Sequence, residues 1–175
     1  MVAGGVGLAP FATLAETLAA LGTPTTLFYG ARTAGELFYL EFFERLGITL
    51  ALTTEDGGRG VKGRVTAPLE AALKSVGPAG AMVYACGPEP MLEAVAKLAE
   101  RYRQPSQVSV ERVMGCGLGG CYSCVVPVKP ASTRAAVGAH GDLSAVARSA
   151  QEEHANLVRS CISGPVFDGA ELVWE

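Results

Sequence analysis

Gly4-Gly5-Val6-Gly7-Leu8-Ala9-Pro10 stands near the start of the chain, and its reading decides the fold. The run contains G-x-G-x-x-P, in which glycines let the backbone approach a pyrophosphate while the following helix offers unpaired amides and a positive dipole end. Taken alone, the glycines serve equally well for a tight turn that needs positive φ. The next hundred residues favour the binding loop. Short apolar runs at Thr25 to Tyr29, Ile48 to Thr53 and Ala81 to Ala85 read as strands buried on both faces. They alternate with helical patterns at Ala9 to Leu21, Ala34 to Leu46, Val65 to Val76 and Glu89 to Arg103. Pro10 suits a first helical turn, and Gly22, Gly47 and Gly77 suit helix stops. The expected fold is therefore α/β, a parallel doubly wound nucleotide-binding sheet over residues 1–104. Only Met1, Val2 and Ala3 precede the glycine loop, fewer than the about five residues of a central strand. The first strand is expected to be cut short and the chain truncated at its N-terminus.

Ligands of such sheets bind at the carboxyl ends of the strands. Phe28-Tyr29-Gly30-Ala31-Arg32 ends the second strand, where an adenosine ribose would lie. No acid stands at that strand end, which leaves Gly30 and Arg32 as the candidates there. Arg32 suits either a 2′-phosphate or the face of an adenine. Cys86-Gly87-Pro88-Glu89-Pro90 follows the strand Ala81 to Ala85 and opens a helix, so a thiol and a loop backbone converge on the same edge. Cys86 also reads as a small buried hydrophobe at a strand end.

After Gln104-Pro105 the texture changes. Gln107 to Arg112 and Val125 to Lys129 read as short strands around a run of glycines and cysteines, a second module over 105–175. An insertion near 130–156 separates its halves, with a helix expected at Leu143 to His154. Cys116, Cys121 and Cys124 have the spacing C-x4-C-x2-C, and Cys161 follows at a distance. This is the plant-type [2Fe-2S] arrangement, three thiolates on one loop and a remote fourth. Gly115, Gly117, Gly119 and Gly120 suit it, because a chain without Cβ atoms curls tightly and aims amide hydrogens at sulfur. A [4Fe-4S] loop wants closer cysteines and a Rieske centre wants histidines; His140 and His154 are unsuitably placed and read as solvated loop residues. Structural zinc on four thiolates remains an alternative.

Composition sets the bounds. Apolar residues make up 49% and charged residues 18% of the 175, enough for a core and unlike a disordered chain. Lys plus Arg number 14 against 17 Asp plus Glu, and neither half is basic, so nucleic acid and anionic membrane are poor partners. No Lys or Arg precedes Arg32, and Glu16 interrupts the apolar opening, which argues against an export signal. A cytoplasmic protein without a membrane span is expected, and in that compartment cysteines serve as metal ligands or redox groups more often than as disulfides.

A nicotinamide gives up two electrons together as hydride, whereas an iron-sulfur cluster takes one at a time, so the pair calls for a flavin between them. The glycine loop with Cys86-Gly87-Pro88 resembles the nicotinamide-binding domain of the ferredoxin reductase family. In that resemblance Gly4, Gly5, Gly7 and Pro10 hold the pyrophosphate, while Cys86, Gly87, Pro88 and Glu89 sit by the nicotinamide, with Cys86 against the reacting ring and flavin. Glu111 to Cys124, then Arg159-Ser160-Cys161 and the ending Gly164-Pro165-Val166-Phe167-Asp168, resemble the electron-transfer subunits of class B dihydroorotate dehydrogenases. Thr54-Glu55-Asp56-Gly57 before Lys62-Gly63 also resembles that family, and reads equally as a charged turn.

The resemblance implies cluster ligands at Cys116, Cys121, Cys124 and Cys161, together with FAD, NAD and a hetero-oligomeric FMN-containing catalytic subunit. Electrons would run from FMN through the cluster and FAD to NAD as dihydroorotate is oxidised to orotate in pyrimidine biosynthesis. The family's flavin residues lie mainly in a barrel domain that these residues do not supply, so none is assigned here. The segment between Cys124 and Cys161 is longer than is usual in the family. Two other readings stand beside this one: the small subunit of an NAD(P)H-dependent ferredoxin oxidoreductase or sulfide dehydrogenase, and a zinc-stabilised module without redox activity.

Overall fold

The computed structural model describes residues 1–130 and 155–174. Nine strands are described: β1 (Val2–Gly4), β2 (Thr26–Ala31), β3 (Thr49–Thr54), β4 (Val61–Lys62), β5 (Val83–Cys86), β6 (Ser106–Ser109), β7 (Val125–Val128), β8 (Asn156–Arg159) and β9 (Val166–Asp168). Five α-helices join them: α1 (Phe11–Ala20), α2 (Leu40–Arg45), α3 (Thr66–Lys74), α4 (Glu89–Arg101) and α5 (Ser160–Ser163). The helix expected at Leu143 to His154, with His140 and His154, lies outside the described residues.

The main sheet has the order β4-β3-β2-β1-β5-β6-β9. Every pairing is parallel except β6 with β9, which is antiparallel. β1 is only three residues long, yet it occupies the middle, in register with Phe28 to Gly30 on one side and with Ala85 and Cys86 on the other. Strand order reverses between β1 and β5, and a doubly wound sheet opens its ligand crevice at such a point.

Each face carries its own apolar layer. Phe11 and Ala15 of α1 and Leu40 and Phe43 of α2 pack with Leu27 and Tyr29 of β2 on one side. Leu69 and Leu73 of α3 and Leu92, Val95 and Ala99 of α4 pack with Val83 and Val108 on the other. That second layer continues into Val126, Val128, Phe167 and Leu172, so described residues on either side of the late cysteines share the core of the sheet. β7 and β8 form an antiparallel ribbon beside it, from Val125 opposite Arg159 to Val128 opposite Asn156. The sheet itself continues past residue 104, because β6 pairs with β5 along its whole length.

The expected helix Ala34 to Leu46 is corrected. The chain makes a 3-10 turn at Ala34–Glu36, breaks at Tyr39 with φ +59°, and becomes α2 only at Leu40. The reason is a buried competitor. The Tyr29 hydroxyl lies 3.1 Å from the Glu36 carbonyl and 3.5 Å from the Phe38 amide that donates to it, claiming backbone groups a continuous helix would pair internally.

Candidate functional site

The loops after β1 and β5 meet across the reversal point, and glycines decide how closely. A Cβ on Gly7 would overlap the backbone carbonyl of Cys86. One on Gly4 would stand 2.8 Å from both Pro88 and Met91, and one on Gly87, at φ +152°, would stand 3.0 Å from the Gly4 nitrogen. These three glycines interlock two loops. Gly5 differs: it has φ +55° with open space where a side chain would be, so its backbone is the part of the loop free to face a ligand. Gly5–Leu8 form a 3-10 turn, Pro10 immediately precedes Phe11, and no side chain caps the first turn of α1. Exposed amides there suit an anion.

Cys86 ends β5, buried between Ala3 of β1 and Ser109 of β6. Burial pushes its thiol above the ordinary range, and a hydrogen bond with Ser109 offsets part of that. It is therefore a protonated thiol at neutral pH. Beside it a cleft of about 230 Å³ is lined by Gly87, Pro88, Glu89, Val110, Glu111 and Arg112. Across the cleft mouth Arg112 forks onto Glu89, with Nη2 to Oε1 at 2.8 Å and Nη1 to Oε2 at 3.1 Å. This pair joins the first residue of α4 to the chain entering the cysteine loop.

At the end of β2, Gly30 lies close under Thr53 and Val65. The sequence leaves this strand end without an acid, and the structure supplies one: the turn at Ala34–Glu36 carries the Glu36 carboxylate back to Arg32. Oε1 takes Arg32 Nη2 at 2.8 Å and Oε2 takes the Arg32 amide at 3.1 Å. The guanidinium holds Glu36 below the usual carboxylate range. Arg32 is thus already paired. Tyr29, fully buried, connects this corner to the glycine loop, its hydroxyl 3.3 Å from the Gly5 carbonyl. Glu36 and Tyr29 escape sequence reasoning because only the broken helix brings them there. The Thr54 to Gly57 stretch is a turn in which Asp56 accepts from the Gly58 amide and the Thr54 hydroxyl binds both the Arg59 amide and carbonyl.

Among the late cysteines, Cys116 interacts with Cys121, and Cys124 with Cys161. Amides of Cys121, Leu118 and Gly120 and the Cys121 thiol hold Cys116 down to about 6. The Leu118 and Gly120 amides stand 3.3 Å from its sulfur. Cys124 faces Cys161: the amide and thiol of Cys161 hold Cys124 low, while Cys161 itself is raised, chiefly by Cys124. The buried Ser160 hydroxyl makes no ordinary hydrogen bond but sits near enough to Cys124 to favour its thiolate. The charge of Cys116 also raises Cys161 slightly.

Among the described residues no three Cys, His, Asp or Glu side chains converge on one point as a single ion requires. Four thiols on neighbouring segments are instead the donor set that would fit a [2Fe-2S] cluster. Arg159, to which the sequence assigned no role of its own, fastens the loop. Its Nη1 donates to the Gly119 carbonyl and its guanidinium lies 5.1 Å over the Tyr122 ring.

A dinucleotide crevice and a cysteine loop on one sheet edge define a pyridine-nucleotide oxidoreductase unit, and the chain belongs to the oxidoreductase NAD-binding domain family, whose profile matches residues 1–97. Residues 111–137 match the iron-sulfur cluster binding domain of dihydroorotate dehydrogenase B. More particularly, the chain is similar to proteins named as the electron transfer subunit of dihydroorotate dehydrogenase B (NAD(+)). It is 36% identical to the probable one of Archaeoglobus fulgidus over 99% of this chain and 61% of that protein. The corresponding figures are 34%, 99% and 56% for Bacillus caldolyticus, and 41%, 71% and 48% for the probable one of Methanocaldococcus jannaschii. The chain thus spans about half the length of the curated relatives it matches. A solved structure described as an NADH-dependent reduced ferredoxin-NADP oxidoreductase, studied for flavin-based electron bifurcation, superposes with TM-score 0.72 at 26% identity, covering 99% of this chain and 52% of that one. No helix among the described residues is long and apolar enough to cross a membrane.

Proposed function

We propose that this chain is the dinucleotide- and cluster-binding part of an electron-transfer subunit of dihydroorotate dehydrogenase. It would take electrons from an FMN-containing catalytic partner, within a hetero-oligomer, and deliver them to NAD with an FAD as intermediary. The observation that carries this reading is the continuity between the two sites: β6 leaves the crevice beside Cys86 and within a few residues becomes the cysteine loop, with Arg112 and Glu89 tying the loops across the cleft.

In this reading residues 1–104 form the dinucleotide unit and 105–175 the cluster unit. Gly5 and the first turn of α1, after Pro10, receive the pyrophosphate; Gly4 and Gly7 set the loop against Cys86 and Gly87. Gly30 and Arg32 border the adenosine ribose. Cys86, Gly87, Pro88 and Glu89 form the wall on which the nicotinamide lies, and the protonated Cys86 thiol offers that wall no negative charge. Cys116, Cys121, Cys124 and Cys161 would hold the cluster. A [2Fe-2S] group there supplies a one-electron carrier. The amides of Leu118 and Gly120 lower the cost of negative charge on sulfur, and the Arg159 clamp fastens the loop. No residue of this chain is assigned to the flavin.

The test is reconstitution of the full chain with ferrous iron and sulfide. Two irons per chain, a brown colour bleached by dithionite, and saturable NADH binding are expected; a colourless protein that takes zinc and no iron would overturn the reading in favour of a structural module. The superposition on the ferredoxin-NADP oxidoreductase favours a second reading, the small subunit of a ferredoxin-linked enzyme. Copurification with an FMN barrel protein supports the first, and copurification with a larger iron-sulfur flavoprotein supports the second.

A further inference from the structure

Ser123 lies between two of the loop cysteines, and its hydroxyl is placed by backbone. Oγ accepts the Gly115 amide at 3.0 Å, stands 3.2 Å from the Val113 carbonyl and 3.1 Å from Cys121 Sγ. A serine hydroxyl has one proton to donate, so the carbonyl and the sulfur compete for it. As free thiol, Cys121 can itself be the donor. As a metal-bound thiolate it has no proton and can only accept, and its negative charge makes it a stronger acceptor than a neutral carbonyl. Cys116, its pair, is served by main-chain donors from Leu118 and Gly120. Ser123 is the side-chain hydroxyl in contact with Cys121, and a single substitution can remove it.

We propose that the Ser123 hydroxyl, held by the Gly115 amide, donates to the sulfur of Cys121 in the cluster-bearing protein and raises the reduction potential of that centre. The inference rests on the cluster assignment above. Reduction adds one electron, breaks and forms no covalent bond, and needs no proton. The added charge spreads onto the ligating sulfurs, and a hydroxyl proton aimed at one of them stabilises the reduced form more than the oxidised form. Ser123 is therefore a positioning residue that sets how readily this chain accepts an electron from its donor.

The experiment is a redox titration, followed by electron paramagnetic resonance, of the full chain reconstituted with ferrous iron and sulfide, in wild type, Ser123→Ala and Ser123→Thr. Removing the hydroxyl should lower the reduction equilibrium constant about tenfold, 59 mV for a one-electron couple. Ser123→Thr keeps the hydroxyl and should stay near the wild-type value. Three results overturn the proposal: Ser123→Ala reducing at the wild-type potential with full iron; Ser123→Thr shifting as far as Ser123→Ala; or Ser123→Ala failing to hold iron while Ser123→Thr holds it, which would place the hydroxyl's role in closing the loop through Gly115. A wild-type chain that takes up no iron would overturn the proposed function and this inference together, which distinguishes it from the three results above.

Discussion

Tyr29 places one hydroxyl against three backbone groups, those of Gly5, Glu36 and Phe38, while its ring is fully buried. Replacing it with phenylalanine keeps the ring and strands those groups. Tyr29→Phe should cost about 1–2 kcal/mol in urea denaturation and weaken NADH binding, because the glycine loop and the ribose corner lose their common strut. Gly7→Ala tests a different force. Its Cβ meets main chain, which cannot rotate away, so the loss should reach the upper end of the about 1–3 kcal/mol typical of overpacking. The same denaturation series reads it. Glu36 has a depressed pKa, so its pairing with Arg32 is complete above the ordinary carboxylate range and is lost as pH falls through the lowered value. A carbon-detected NMR titration of Glu36 should report that low value, and Arg32→Ala should return it to the ordinary range. Spacing identified the glycines as a group. It did not separate Gly5, which faces open space, from Gly4 and Gly7, which are wedged against the next loop, since the wedge comes from residues eighty positions away in the chain.

At the scale of elements, strands that are continuous apolar runs were legible. β2, β3 and β5 fall within about two residues of the positions expected for them, because burial on both faces leaves one reading for such runs. β4 and β9, of two and three residues, were not legible, since each exists only through its neighbour in the sheet. The expected helix from Ala34 failed because periodicity reports a face and says nothing of a tyrosine hydroxyl on another strand. The Glu89–Arg112 fork was equally hidden: both residues were visible, but twenty-three positions apart. It lies partly in solvent, so Arg112→Ala should lower stability by only about 0.5 kcal/mol, and the difference from wild type should shrink in high salt. Parallel denaturation curves at low and high ionic strength check this.

For the whole molecule, Cys116, Cys121 and Cys124 were legible as a group because their spacing is local; the neighbour of Cys124 was not, because Cys161 arrives on α5 after an intervening stretch of chain. Cys86 is the fifth cysteine of the chain. The structure seats it in the sheet between Ala3 and Ser109, while Cys161 faces Cys124. Cys161→Ser should therefore lose the iron and the visible colour on reconstitution, and Cys86→Ser should retain both; iron analysis of the two variants side by side reads the difference.

The final strand has a topological consequence. β9 pairs with β6, Val110 donates its amide to the Pro165 carbonyl, and β8 lies along β7, so residues 155–174 are stitched to the body at several seams. A polypeptide ending at residue 130 and a separate peptide beginning at 155 would each carry half of every seam, and also half of the sulfur set beyond Cys121. Mixed with iron and sulfide, the two pieces should find each other, making metal uptake a reporter of non-covalent reassembly.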